Sequence, residues 1–179
     1  LADFGATVVK VETQQRVDVT RTVMPLHPLN DQHPLECGGL FNNANAGKVG
    51  IELDLTTDAG RAVLWDLIRW ADVVLESFSA GAMERMGFGY ERIKAANPSV
   101  ILYSSCLPGQ TGSLDLPGYG NLASALFGFH HTTRWPDRAA AGPFGAYTDY
   151  IAPRYNAAAI LALVGNENVR HWAPARHPA

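Results

Sequence analysis

The chain has 179 residues, of which 47% are hydrophobic and 17% charged, which is typical of a globular protein that buries a core. Its formal net charge of −3 argues against nucleic acid or an anionic membrane as the main partner. No apolar run is long enough for a membrane span, and we expect no leader and a cytoplasmic location. The two cysteines, Cys37 and Cys106, lie far apart, which predicts free thiols and no metal site.

The first third of the chain predicts two strands separated by a long loop. Residues 7–12 and 49–54 are short runs rich in β-branched side chains, as is typical of strands. Gly5 closes what resembles a helix end, so the chain begins at Leu1 inside a helix and we expect further sequence upstream. Residues 13–48 carry no sustained period and contain several prolines, which predicts a loop.

Helices and strands alternate through the middle of the chain. A helix is predicted from Thr56 to about Trp70, because Thr and Asp side chains at its start can cap it. Its apolar stripe, expected to face the core, consists of Val63, Leu64, Leu67 and Ile68. Beyond it we predict strands at 72–76 and 99–104, and helices at 82–86 and 90–96.

This alternation predicts an α/β fold with a mostly parallel, Rossmann-like sheet and flanking helices. Such sheets bind ligands at the carboxyl ends of their strands. The residues found there are Glu12, Glu76, Ser77 and the stretch 104–109. Two further helices are predicted at 119–129 and 149–164, whereas residues 165–179 have no apolar period and are expected to be disordered.

Two tempting signals are weak. Gly87 and Gly89 lack the third glycine of a dinucleotide-binding loop and do not lie between a strand and a helix. His130 and His131 are adjacent, so on a helix their side chains point about 100° apart and do not converge on one metal ion.

Asp149 is the carboxylate of greatest interest. It follows a glycine-containing approach, residues 142–148, at the start of a predicted helix. One interpretation is an N-cap, a position that Asp favours. The other is a reactive carboxylate among backbone N–H donors, where negative charge is stabilised. The residues alone leave both interpretations open.

The order of motifs resembles that of class III CoA-transferases, the formyl-CoA transferase and α-methylacyl-CoA racemase-like family. The stretch 3–12 is similar to the family's D-x-G-A-x-V-x-K-V-E, and 18–21 to its D-x-T-R. Matches continue in family order, at 45–48 with 51–54, at 71–78, at 83–87, and at 97–98, 109–112 and 117–119. The resemblance implies that residues 1–164 are the incomplete large domain and that 165–179 is a tail outside the pattern. We expect a change of reading frame near Val164 to account for that loss of pattern.

The resemblance implies covalent catalysis by Asp149 through aspartyl anhydride and aspartyl-CoA intermediates. It implies acyl-CoA and a small carboxylic acid as substrates, no tightly bound cofactor, and an interlocked homodimer. The CoA-binding positions that it implies are Leu53, Glu76, Ser77, Phe78, Arg85 and Tyr119.

Tyr119 separates the two activities of the family. It stands where the racemases have a histidine, which disfavours two-base proton exchange and favours a transferase. Two departures weaken the CoA site: Thr13 replaces a common basic residue, and Ser77 replaces an asparagine. Because the chain lacks the family's second domain, it is also expected to be unstable or inactive alone. The alternatives are an acyl-CoA racemase or isomerase and a non-catalytic CoA-binding remnant.

Overall fold

The computed structural model describes residues 1–23, 33–107, 109–111 and 118–166. The chain forms two compact units, residues 1–67 and residues 68–179. Most of the tail that we expect to be disordered, from residue 167 onward, lies outside the described residues.

The first unit contains a pair of parallel strands. Strand β1 is Val9–Glu12 and strand β2 is Val49–Glu52. They pair in register from Val9 with Val49 to Glu12 with Glu52. Both strands were predicted, and each is shorter than its β-branched run. A 3-10 helix, Ala2–Phe4, precedes β1 and ends at Gly5 in the left-handed conformation, with φ of 90°.

The prediction of a loop between these strands is wrong for its second half. Helix α1, Gly39–Asn45, lies there, and 3-10 helices occupy Gln14–Arg16, Val19–Arg21 and Pro34–Glu36. The only buried residue of α1 is Phe41, whose ring centroid lies 3.6 Å from the guanidinium carbon of Arg21. A helix with one core residue has no apolar period to detect, so contacts within the fold decide its structure.

Five charged side chains of alternating sign extend from β1 along this connection. Lys10 Nζ lies 2.8 Å from Asp18 and 3.1 Å from Glu12. Arg21 then bridges Glu12, at 2.9 Å, and Glu36, at 3.1 Å. The hydrogen bond from Arg21 lowers the pKa of Glu12 against the opposing effect of burial. Burial raises the pKa of Asp18, but its hydrogen bonds, above all from Lys10, outweigh that effect and bring the pKa to about 2.

Acid is expected to destabilise the chain partly through Asp18. Its pKa is lower in the folded chain, so the ionised carboxylate stabilises the fold above its ordinary pKa of 3.8 and loses that effect as the pH falls towards 2. Asp18→Asn should remove no more than about 1 kcal/mol of pH-dependent stability, because a partly exposed pair is screened by solvent. Urea unfolding between about pH 2 and pH 6 measures this slope. Asp137→Asn, which breaks an exposed pair with Arg138, is the control and should retain the wild-type slope.

Helix α2, Asp58–Trp70, begins in the first unit and ends in the second. Thr57 caps it as predicted, since its Oγ1 accepts a hydrogen bond from Gly60 N at 3.1 Å. The predicted apolar stripe is wrong at Val63, which is 39% exposed, whereas Ile68 is 2% exposed.

The second unit contains another pair of parallel strands, with short helices between them. Strand β3, Val73–Glu76, is followed by helices α3, Ala82–Arg85, and α4, Tyr90–Ala96, and by strand β4, Ile101–Ser104. The strands pair in register from Val73 with Ile101 to Glu76 with Ser104. The predicted α/β class with parallel strands is therefore confirmed. The buried apolar residues of this part include Ile68, Phe88, Ile93 and Val100.

Three helices complete the described part of this unit. Helix α5 is Gly120–Leu126, α6 is Phe129–Thr132 and α7 is Tyr147–Gly165. The single helix predicted at 119–129 is interrupted by Gly128, whose φ of 81° is left-handed. Neither α7 nor any other helix in the described ranges combines the length and apolar character that a membrane crossing requires.

Candidate active site

Asp149 lies in the first turn of α7, and its side chain contacts α5. Its Oδ2 accepts a hydrogen bond from the backbone N–H of Gly120 at 3.1 Å. Ala146, three residues earlier, holds the N-cap position of α7 and makes no side-chain capping bond. The interpretation of Asp149 as an N-cap is therefore wrong, because the carboxylate joins two helices instead of closing its own.

Gly120 has both its backbone groups bound by consecutive side chains of α7. Its N–H donates to Asp149, and its carbonyl accepts a hydrogen bond from Thr148 Oγ1 at 2.8 Å. A Cβ atom on Gly120 would lie 2.7 Å from Asp149 Cγ and 2.8 Å from each carboxylate oxygen. Only glycine fits here without moving the carboxylate. We call the pair of hydrogen bonds the Gly120 clasp.

The site is open to solvent in this chain. Asp149 is exposed, and Oδ1 accepts no hydrogen bond from any residue that the structure describes. Tyr119 is the N-cap residue of α5, and its side chain makes no capping bond and is 73% exposed. The start of α7 also contacts α6, since the rings of Tyr147 and Phe129 pack edge to face with centroids 5.3 Å apart.

The body of α7 is hydrogen-bonded to the end of β4. Asn156 accepts a hydrogen bond from the Tyr103 hydroxyl and donates one to Ser105 Oγ, both at 3.0 Å. Asn156 follows Asp149 by seven residues, which is about two helical turns, so the two side chains share one face of α7. These contacts hold the helix body against β4.

Glu76, one of the expected CoA-binding residues, is a buried structural carboxylate. It is 7% exposed and accepts hydrogen bonds from Phe78 N at 2.6 Å and from Gln110 Nε2 at 3.3 Å. Gln110 in turn accepts a hydrogen bond from Gly81 N at 3.3 Å. Glu76 and Gln110 therefore shape the loop that links β3 to α3.

The other expected CoA-binding residues have different environments. Ser77 and Phe78 are exposed on that loop, and Arg85 is exposed with its Nη1 donating to Ala80 O at 3.2 Å. Leu53 belongs to the other unit, where it is 8% exposed. A cleft of about 250 Å³ adjoins Glu76 and is lined by Ser79, Gly81, Ala82, Met83, Glu84, Gly89, Tyr90, Leu102, Ser104 and Gln110.

No candidate metal-binding cluster is found within the described ranges. They contain no group of three or more His, Cys, Asp or Glu residues arranged to hold a metal ion. Cys37 and Cys106 are both free thiols.

Three residues of the site were missed by sequence reasoning. Gly120 and Thr148 were not singled out, and Gln110 was included only within the family match at 109–112. One local feature could have indicated Gly120, because it lies in the first turn of the helix predicted at 119–129. Glycine is unfavourable inside helices unless close packing requires it. Their contacts span 28 to 34 residues of sequence, which no local pattern encodes.

Comparison with known proteins supports the family resemblance that the order of motifs indicates. The family model described as CoA-transferase family III matches residues 1–169. The chain belongs to this family.

Several curated relatives of this CoA-transferase family III chain are named as CoA-transferases. An acetyl-CoA:oxalate CoA-transferase of Acetobacter aceti is 38% identical over 138 residues, which cover 76% of this chain and 34% of the relative. A succinyl-CoA:mesaconate CoA-transferase of Haloarcula hispanica is 37% identical over 170 residues, 92% of this chain and 42% of the relative. The chain thus spans less than half the length of these relatives.

Solved structures of the family share the fold of this chain. A CAIB/BAIF family protein from Brucella suis has a TM-score of 0.79 at 32% identity, covering 90% of this chain and 42% of that one. Rv3272 from Mycobacterium tuberculosis has a TM-score of 0.81 at 26% identity, covering 96% and 47%.

Proposed function

We propose that this chain is the part of a CoA-transferase that carries the nucleophile, and that Asp149 is that nucleophile. The observation that carries the proposal is the geometry of its carboxylate. Gly120 N–H holds Oδ2, while the residue is exposed and Oδ1 accepts no hydrogen bond from any described residue. A carboxylate oriented through one oxygen and open at the other fits attack on an external carbonyl carbon.

The proposed reaction moves CoA from an acyl-CoA thioester to a carboxylic acid in four displacements. Asp149 Oδ1 attacks the thioester carbon, and the C–S bond breaks to give an acyl–aspartyl anhydride and CoA thiolate. The thiolate attacks the aspartyl carbonyl and releases the first acid, which leaves an aspartyl-CoA thioester. The acceptor carboxylate displaces the thiolate to form a second anhydride. Attack of the thiolate on the acceptor's carbonyl then releases the new acyl-CoA and restores Asp149.

The CoA-binding residues are part of the proposal. Arg85 is an exposed cation suited to a CoA phosphate, and exposed Phe78 and Tyr119 offer aromatic surface. Buried Glu76 acts by holding the loop that carries Ser77 and Phe78, because its carboxylate already accepts hydrogen bonds from Phe78 N in that loop and from Gln110 Nε2. Leu53, which is 8% exposed in the first unit, is included on the family resemblance alone.

Further properties of the proposed enzyme follow from the family. CoA enters as part of a substrate, and no tightly bound cofactor is required. Residues 1–164 belong to the large domain of a longer homodimeric enzyme that acts in the cytoplasm, a location that suits the free thiols Cys37 and Cys106.

A covalent adduct tests the proposed chemistry. The folded chain, checked by circular dichroism, is incubated with a series of acyl-CoA thioesters, quenched and digested. Mass spectrometry is expected to find an acyl or CoA adduct on the peptide that contains Asp149, removable by hydroxylamine. No adduct with any donor would contradict the proposal, and retained CoA binding would then favour the non-catalytic remnant.

The same incubation in deuterium oxide distinguishes the racemase alternative. Exchange of the α-proton of a branched acyl-CoA without an adduct would indicate an isomerase. By the resemblance, Tyr119 stands where the racemases have a histidine, and a phenol is a poor substitute for an imidazole in proton exchange, so we expect no exchange.

A further inference from the structure

The first turn of α7 lacks one of the hydrogen bonds that would join it to the rest of the helix. Pro153 lies inside α7, four residues after Asp149. A proline has no N–H, so the helical hydrogen bond that would end on the Asp149 carbonyl cannot form, and the proline ring crowds that carbonyl. The turn that carries the nucleophile is therefore weakly held by its own helix.

Contacts with α5 also hold the first turn of α7 in place. The helix body is fixed to β4 by Asn156, but this anchor lies on the far side of Pro153 from Asp149. On the near side, two side chains of the first turn are hydrogen-bonded to another described helix. These are the bonds of the Gly120 clasp, one from Thr148 and one to Asp149. The Thr148 bond is the shorter, at 2.8 Å, and Thr148 is half-buried.

We infer that Thr148 is a positioning residue for Asp149, acting through the backbone of Gly120. Thr148 and Asp149 are consecutive, so their side chains diverge by about 100° around the helix. Both reach Gly120 because it lies between them and presents a carbonyl to one and an N–H to the other. The hydrogen bond from Thr148 to the Gly120 carbonyl holds Gly120 at a fixed distance from the first turn of α7. The N–H of Gly120 is thereby kept in the position that orients Oδ2. This inference rests on the proposed role of Asp149.

Removal of the Thr148 hydroxyl should slow acylation without weakening substrate binding. Thr148→Val keeps the shape of the side chain and removes the donor. We expect the maximal rate of adduct formation to fall about tenfold or more, because small misplacements of a nucleophile are costly. The acyl-CoA concentration that gives half the maximal rate should not change. Thr148→Ser keeps the hydroxyl and should restore most of the rate.

Two further variants control this measurement. Thr132→Val removes a similar bond, from a threonine hydroxyl to the Gly128 carbonyl at 3.1 Å in α6, and should leave the rate unchanged. Gly120→Ala inserts the Cβ that would meet the carboxylate and should slow the reaction at least as much as Thr148→Val. Equal rates for Thr148→Val and wild type, or equal losses for the Val and Ser variants, would overturn the inference.

A second readout does not depend on turnover and separates this inference from the proposed function. In proton–nitrogen NMR spectra, the Gly120 amide signal should shift as the Asp149 carboxyl ionises, because that amide donates to it. The shift should fall by more than half in Thr148→Val and persist in Thr148→Ser. A full shift in Thr148→Val would overturn the positioning role even if no acyl-CoA reacts. Lack of an adduct with wild-type protein that shows the shift would contradict the proposed function alone.

Discussion

Replacement of Asp149 by asparagine is expected to lower the rate of covalent adduct formation on the order of 10³-fold or more, because an amide is not a nucleophile towards a thioester. Asparagine has nearly the same shape, and its side-chain oxygen can still accept the hydrogen bond from Gly120 N–H. The free energy of unfolding should therefore change by less than about 1 kcal/mol. Quenched-flow mass spectrometry measures the rate, and urea unfolding measures the stability.

Asp137→Asn is the matched control for this substitution. It makes the same chemical change at a carboxylate that is 72% exposed and paired with Arg138. Its rate of adduct formation should equal that of wild type. An adduct that forms at the normal rate in Asp149→Asn would assign the nucleophile to another residue.

The largest expected effect on stability comes from Asn97, at the end of α4. Asn97 is 5% exposed, and its Nδ2 donates to the carbonyls of Ile68, at 2.9 Å, and Ala71, at 2.8 Å. Its Oδ1 accepts a hydrogen bond from Ser99 Oγ at 2.9 Å. One side chain therefore donates to carbonyls at and just beyond the carboxyl end of α2, where side chains commonly cap a helix.

Asn97→Ala should lower the free energy of unfolding by about 2 to 4 kcal/mol, because it removes a buried side chain together with its hydrogen bonds to Ile68, Ala71 and Ser99. Chemical denaturation monitored by tryptophan fluorescence measures this change. Asn42→Ala is the control, since it removes one bond from an exposed side chain to the Glu36 carbonyl. It should cost less than about 1 kcal/mol. A similar loss in the two variants would show that burial at Asn97 has no special effect.

The sequence predicted those elements whose signals are local. Helix α4 was predicted with its observed bounds, because Asn97 and Pro98 end the helical pattern. The four strands were also predicted, since each is a short run of β-branched or apolar residues. Helix α1 was not, because Phe41 is its one buried residue and the contact with Arg21 that covers it comes from a different part of the chain.

The sequence predicted the central residue of the candidate site, Asp149, but not the geometry around it. The resemblance to a family identified Asp149, but no periodicity could pair it with a glycine 29 residues earlier. The same limit applies to Glu76, which was expected at the ligand-binding edge of the sheet. No local pattern predicts that its carboxylate accepts hydrogen bonds from Phe78 N and Gln110 Nε2. Local patterns report which elements form, whereas the partners of buried polar groups depend on how those elements pack.

The alternating charges along the first connection have a consequence for how this protein can change in evolution. Asp18, Lys10, Glu12, Arg21 and Glu36 alternate in sign, and each of the middle three contacts two opposite charges. Loss of Lys10 leaves Asp18 without its ion pair, and loss of Arg21 does the same to Glu36, so the cost of a substitution depends on what the neighbours already are. Simultaneous substitution of two paired residues is thereby favoured over substitution of one residue at a time. We therefore expect these five positions to change together in evolution.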